Sequence, residues 1–284
     1  MINILVPVSF TDYSVNALTY ALTLAKRFPA KVTILHSFSE YEDIEEDALP
    51  DMPNSEESVQ RREMDARKRL LSLCKSVINK INKAHEIEIE SRFEFGYPED
   101  IIVDVCEELK ADVVIMGTKS KGETIKELLG SITSDVMKRA SAPVLAVPAH
   151  SSVNLEKLSQ VLFITEFSDK DYLSVHKLIR LITPFNSVIH AIGFIQKKPD
   201  NDDLLKLEKF KEYCKSTYRN NQMIFDYELC QSFIPGIEDY VSHNNIDLIA
   251  MTRRKRNMIA KLFNTEITRK ILFHTDIPLL VFHP

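Results

Sequence analysis

Residues 247–282 repeat residues 112–147 at a constant offset of 135, pairing Met116 with Met251 and Pro143 with Pro278. The run ILVPVSFT (4–11) returns as VLFITEFS (161–168), and KVTILHSF (31–38) as SVIHAIGF (187–194), with His190 read as the counterpart of His36. A duplication of this kind confines the chain to two copies of one structural plan. At 284 residues there is length for two domains, each with its own core. The reading places them at 1–148 and 158–284, with 149–157 as linker.

The first copy alternates strands and helices. INILVPV (2–8) reads as an apolar strand, and Ser9-Phe10-Thr11-Asp12 as a turn into a helix with Leu18, Ala21, Leu22, Ala25 and Phe28 on one stripe. KVTILHS is a second strand. Residues 39–57 then carry nine acids and no Lys or Arg, broken by two prolines, which reads as an acidic loop. A charged helix over 56–84 follows, with Met64, Leu70, Leu71, Cys74 and Ile78 on one side, and EIEIESRFEF alternates as a strand. Pro98 suits the first position of a helix whose Ile101, Ile102, Val105 and Leu109 face inward. Strands alternating with helices imply a doubly wound parallel sheet with right-handed crossovers.

The stretch 112–148 carries the chemistry. Asp112 leads into a short apolar strand, Val113 to Met116, that stops at Gly117. A polar, glycine-bearing loop follows, and Gly130-Ser131 opens a Ser-capped helix with Ile132, Val136 and Met137 at helical spacing. Loop amides and a helix N-terminus both present unpaired N–H groups, so the arrangement is an anion cradle. Gly117-x4-Gly122-Glu123-Thr124 has Walker A spacing, but Glu123 stands where the phosphate-binding lysine must be, and a carboxylate there repels phosphate.

Gly117, the Gly130-Ser131 pair and the closing strand Ser-Ala-Pro-Val-Leu-Ala-Val-Pro (141–148) resemble the signature of the universal stress protein family. Where that family has its second glycine this chain has Ser120, with Gly122 displaced by two residues. The resemblance covers both halves in tandem. It implies an α/β fold of two doubly wound parallel five-stranded sheets, order 3-2-1-4-5, of the adenine nucleotide alpha hydrolase kind. The halves are expected to pair through their last strands as an internal pseudo-dimer, with a further homodimer open to the chain. It also implies an adenine nucleotide, ATP or a relative, across the ends of strands 1 and 4 of the first half. Carried over position by position, the site is Val8, Ser9, Ser37, Met116, Gly117, Lys119, Ser120, Gly130, Ser131 and Ile132. Ser9 replaces the acid that nucleotide-binding members tend to have after strand 1.

The second half keeps a carboxylate there, Glu166, but Thr252, Lys255, Thr265 and Glu266 replace the glycines and the serine. Glu266 would set a negative charge against phosphate. This half reads as a degenerate partner domain, kept for packing and for presenting the basic loop Arg253-Arg254-Lys255-Arg256.

Composition excludes several classes. The net charge of −5 gives no reason to expect nucleic acid. No apolar run reaches the roughly 18–20 residues of a membrane span, and the chain enters its first strand without a signal-peptide n-region, so a cytoplasmic protein is expected. Cys74, Cys106, Cys214 and Cys230 form no C-x-x-C pair and read as reduced core thiols. The eight histidines lack H-x-x-H or H-E-x-x-H spacing, so His36 and His190 read as structural and no metal is expected. No G-x-S-x-G elbow appears, and no enzyme is expected. The sequence points to a non-enzymatic stress-response regulator with an adenine-nucleotide site in its first half. The alternative is a scaffold that binds no nucleotide and works through an unidentified protein partner.

Overall fold

The computed structural model describes residues 1–39, 56–80, 87–119, 130–149, 151, 158–253, 270–271 and 275–283. The first half runs β1 (Ile2–Pro7), α1 (Asp12–Ala25), β2 (Ala30–Phe38), α2 (Glu56–Lys80), β3 (Ile87–Phe95), α3 (Pro98–Glu108), β4 (Val113–Thr118), α4 (Ser131–Arg139) and β5 (Val144–Pro148). The second runs β6 (Gln160–Ile164), α5 (Asp169–Ile182), β7 (Val188–Ile195), α6 (Asn201–Thr217), β8 (Met223–Leu229), α7 (Phe233–Asn244), β9 (Leu248–Thr252) and β10 (Leu279–Phe282).

All ten strands form one sheet, in the order β3-β2-β1-β4-β5-β10-β9-β6-β7-β8. Each half is parallel and follows the expected order 3-2-1-4-5. The halves join where β5 and β10 pair antiparallel, with Val144 opposite Val281, Leu145 opposite Leu280 and Ala146 opposite Leu279. The internal pseudo-dimer is therefore a continuous sheet. Central strands β5, β9 and β10 are buried at every residue, which is why they read as unbroken apolar runs, while β3 and β8 at the outer edges alternate.

Two apolar layers flank the sheet. One lies beneath α1, α2, α5 and α6, the other beneath α3, α4 and α7, and each runs through both halves. In α2 the buried stripe is Ala66, Leu70, Cys74 and Val77, whereas Met64 and Leu71 are exposed. The sequence placed Met64 and Leu71 on the inner side because charged neighbours hid the small residue, Ala66, that sets the true phase. The side chain of Ile78 lies outside the described residues. Pro98 takes the first position of α3, with Ile102, Val105 and Cys106 buried beneath it and Ile101 and Leu109 packed at the margin.

The repeat reaches beyond the core. Lys110 and Asn245, at an offset of 135, both adopt positive φ as they end α3 and α7. Asp112 and Asp247, two residues on, each accept from a backbone amide at the start of their half's first strand, Asn3 at 2.9 Å and Gln160 at 3.0 Å. One alignment is corrected. Ile4 pairs with Val32, and Val161, its counterpart, pairs with Ile189. His190 therefore stands level with Thr33, and Gly193 level with His36. The two histidines are three residues out of register, an odd slip that exchanges faces: His36 packs on Phe93 on the α1/α2 side of the sheet, whereas His190 meets Tyr240 on the opposite side.

Among the described residues no helix is long and apolar enough to cross a membrane.

Candidate functional site

The sheet order places β1 between β2 and β4, and the connections leave in opposite directions from there. Open α/β sheets bind ligands in the crevice this creates at the carboxyl ends of the strands. Val8, Ser9 and Ser37 sit at the ends of β1 and β2, Met116 and Gly117 close β4, and Lys119 follows it. Gly130, Ser131 and Ile132 open α4, which returns from the same edge. Ser120 lies outside the described residues.

The loop after β1 is tightly held. Ser9 N donates to Ser14 Oγ at 3.3 Å, Ser14 Oγ donates to Thr11 O at 2.8 Å, and the Ser9 and Thr11 hydroxyls lie 3.1 Å apart. Phe10 turns through φ 61° between them, its ring 4.4 Å from that of His36. His36 Nδ1 donates to Val8 O at 2.8 Å, and its ring continues onto Phe93 at 5.5 Å. The guanidinium of Arg67, from α2, covers Phe93 at 4.0 Å. Phe10, His36, Phe93 and Arg67 thus make a stack that fixes the loop from below. Sequence reasoning missed it because its members come from four separate segments.

The two glycines differ in their reasons. A Cβ on Gly117 would lie 2.1 Å from Tyr13 O, so this position is glycine because the first turn of α1 presses on β4. Gly130 has open space around it but takes φ 51°, a conformation that L side chains rarely adopt. It, and not Ser131, is the N-cap of α4, so the expected serine cap is corrected: Ser131 is the first helical residue and is exposed. Among the described residues no side chain caps this end, and no acid stands in the first turn, while Lys138 and Arg139 occupy the last. The helix dipole therefore sets its positive end at the crevice. Thr118, two residues from Met116 and on the same α3/α4 face of β4, is 2% exposed, and its hydroxyl has no hydrogen-bond partner among the described residues. Burying an unsatisfied hydroxyl is unfavourable, so Thr118 joins the candidate residues that the glycine motif did not single out.

The second half keeps the loop but fills the space. Phe167 repeats the left-handed turn at φ 54°, and Asp171, the counterpart of Ser14, accepts from Glu166 N at 3.2 Å and Ser168 N at 3.0 Å. Gly193, level with His36, drops the middle ring of the stack, so Phe167 meets Tyr227 directly at 5.1 Å. A Cβ at Gly193 would strike the Tyr227 ring at 2.6 Å. Thr252 occupies the place of Gly117 and is fully buried. Lys255, Thr265 and Glu266 lie outside the described residues, as do Arg254 and Arg256 and most of the acidic segment, 40–55. Arg253 is not free in solvent: half-buried, it donates to Lys138 O in the first half.

A model of the universal stress protein family matches residues 1–148. The chain belongs to the universal stress protein family. A universal stress protein of Methanocaldococcus jannaschii is 28% identical over 155 residues, covering 52% of this chain and 96% of that one. A putative universal stress protein of Staphylococcus aureus is 29% identical over 151 residues, covering 51% and 82%. The relatives thus align with about half of this chain. Over the whole length, a universal stress protein structure from Archaeoglobus fulgidus superposes with a TM-score of 0.72 at 15% identity, covering 99% of this chain and 96% of that one, which shows the shared fold. As a tandem universal stress protein the chain repeats that fold within one sheet.

The remaining candidates for chemistry have structural partners. His190 is held by Tyr240 Oη at 2.9 Å and Gln160 Oε1 at 2.8 Å, and burial pushes its pKa below the usual imidazole value. The four cysteines are free thiols; Cys74, Cys106 and Cys214 are buried, and burial pushes Cys214 up to about 12, far from a reactive thiolate. No cluster of three or more His, Cys, Asp or Glu suited to a metal occurs among the described residues.

Proposed function

We propose that the first half binds an adenine nucleotide such as ATP, with its phosphates on the amino end of α4, and that the protein acts as a regulator of the stress response and not as an enzyme. The observation that carries this reading is the uncapped first turn of α4, opened by Gly130 at φ 51° at the β1/β4 reversal point. A helix N-terminus with no acid in its first turn favours an anion. The Thr118 hydroxyl, without a hydrogen-bond partner among the described residues, supports it, since a phosphate oxygen would satisfy it. Family membership supports it as well.

The test exploits a difference between the halves. Glu266 stands at the offset-135 counterpart of Ser131. Ser131→Glu would give the first half the same charge at an exposed position, where an acid at a helix N-terminus is stabilising by about 0.3–1 kcal/mol. The fold should therefore survive, while ATP affinity measured by calorimetry falls more than about tenfold, since the carboxylate would stand directly against the phosphates. Equal ATP binding by the variant would refute the phosphate assignment. Turnover of ATP by the unmutated chain would refute the non-enzymatic part.

A second reading, a scaffold that binds no nucleotide, is favoured by Ser9. It replaces a carboxylate, and its hydroxyl is already within 3.1 Å of Thr11. Absence of ATP binding by the unmutated chain selects that reading.

A further inference from the structure

The last turn of α4 is held by the other half of the molecule. A helix leaves its final four carbonyls without partners inside it, and one of nine residues is too short to keep its shape alone. Two of those carbonyls are satisfied across the pseudo-dimer. His283 Nε2 donates to Met137 O at 2.6 Å, and Arg253 Nη1 donates to Lys138 O. The two donors follow adjacent strands, β10 and β9, and Arg253 N closes onto Phe282 O at 2.8 Å, so both stand on rigid strand ends. A guanidinium beside the carbonyl end of a helix also complements its dipole.

The contact runs one way. At the offset of 135 the counterparts of Arg253 and His283 are Thr118 and Pro148. A proline side chain has no donor, and the Thr118 hydroxyl has no protein partner among the described residues. Among the described residues the first half therefore shows no equivalent of this clamp.

We propose that Arg253 and His283 are positioning residues for the candidate anion site: the second half grips the carboxyl end of α4 so that its amino end meets the phosphates of a nucleotide bound by the first. This rests on the nucleotide reading above, although the grip itself exists without ligand. A nine-residue helix spans about 13 Å, so a tilt at one end displaces the other. The second half then contributes to binding in the first without glycines of its own.

Arg253→Met in the intact chain removes the donors; Arg253→Gln keeps an uncharged NH2 donor on a shorter side chain, and Arg253→Lys keeps the charge. Hydrogen exchange over 131–139 without ligand reads the grip, calorimetry with ATP reads the positioning, and thermal melting verifies the fold. Arg253→Met is expected to speed exchange in α4 about tenfold and to weaken ATP binding about five- to tenfold, with Arg253→Lys recovering most of both. Should the Met variant not fold, the Gln variant is expected to show the same changes at smaller size. Unchanged α4 exchange in a folded variant overturns the grip. Faster exchange with unaltered ATP affinity overturns the positioning role alone. If the unmutated chain binds no ATP, the nucleotide reading falls and the positioning role with it, and exchange still decides the grip.

Discussion

Gly117 shows how a single residue can satisfy a motif for a reason the motif does not state. Its missing side chain admits Tyr13 O to a point 2.1 Å from where a Cβ would be, so α1 and β4 touch through backbone. Gly117→Ala should force α1 away from the sheet and destabilise the chain by about 1–3 kcal/mol, as overpacking does. Urea denaturation without nucleotide measures this, and an unchanged midpoint would refute the packing role. Sequence spacing found this glycine but not its cause, because the contact comes from a residue more than a hundred positions away. Ser9, Ser37, Met116, Gly117, Gly130 and Ser131 were all legible as one strand-end cluster; Thr118 and the Phe10–His36–Phe93 stack were not, since neither leaves a periodic trace. His190 carries the pH dependence at this scale. Its pKa is lowered by burial from the usual 6.5, so its contribution to stability is fully present above about 6.5 and is lost as pH falls through the lower folded value. Melting should therefore weaken from pH 7.5 to pH 5, and His190→Gln should flatten that slope. His283, shifted the same way chiefly by burial, leaves a remainder. A slope as steep in the variant as in the parent would show that His190 does not govern it.

At the scale of elements, helices were legible wherever large apolar residues set the phase. The Leu18, Ala21 and Ala25 stripe of α1 faces the sheet as its spacing predicts. In α2 the phase is set by Ala66 and Val77 between charged residues, so counting large side chains rotated the helix and turned the exposed Met64 and Leu71 inward. Strand identity was clear, strand equivalence less so: β2 and β7 share a pattern at more than one register, and only their pairing with β1 and β6 shows that Gly193 replaces His36. That replacement has a consequence for the element above. Without the middle ring, Phe167 and Tyr227 close on each other, and Phe210 of α6 packs against Phe167 at 5.6 Å.

At the scale of the whole molecule, β5 and β10 turn two repeats into one folding unit. Each would otherwise expose an apolar edge, the kind that seeks any available strand. Paired antiparallel, they place Leu145 and Leu280 in the layer shared by α1, α2, α5 and α6, and Val144, Ala146, Leu279 and Val281 in the opposite one. Both cores therefore cross the seam, and loosening the seam should loosen each half. Leu280 is 2% exposed, and Leu280→Ala should cost about 2–5 kcal/mol, as buried leucine truncations do. Two sites report the outcome: amides of β1 in the first half, separated from Leu280's partner strand β5 by β4, and amides of β6 in the second, which pairs with Leu280's other partner strand β9. If the sheet unfolds as one unit, exchange should quicken in both strands by a similar factor, and a single melting transition should shift as a whole. Faster exchange confined to β6, β9 and β10, with β1 unchanged, would show instead that the halves unfold independently and that the seam joins two separately stable domains.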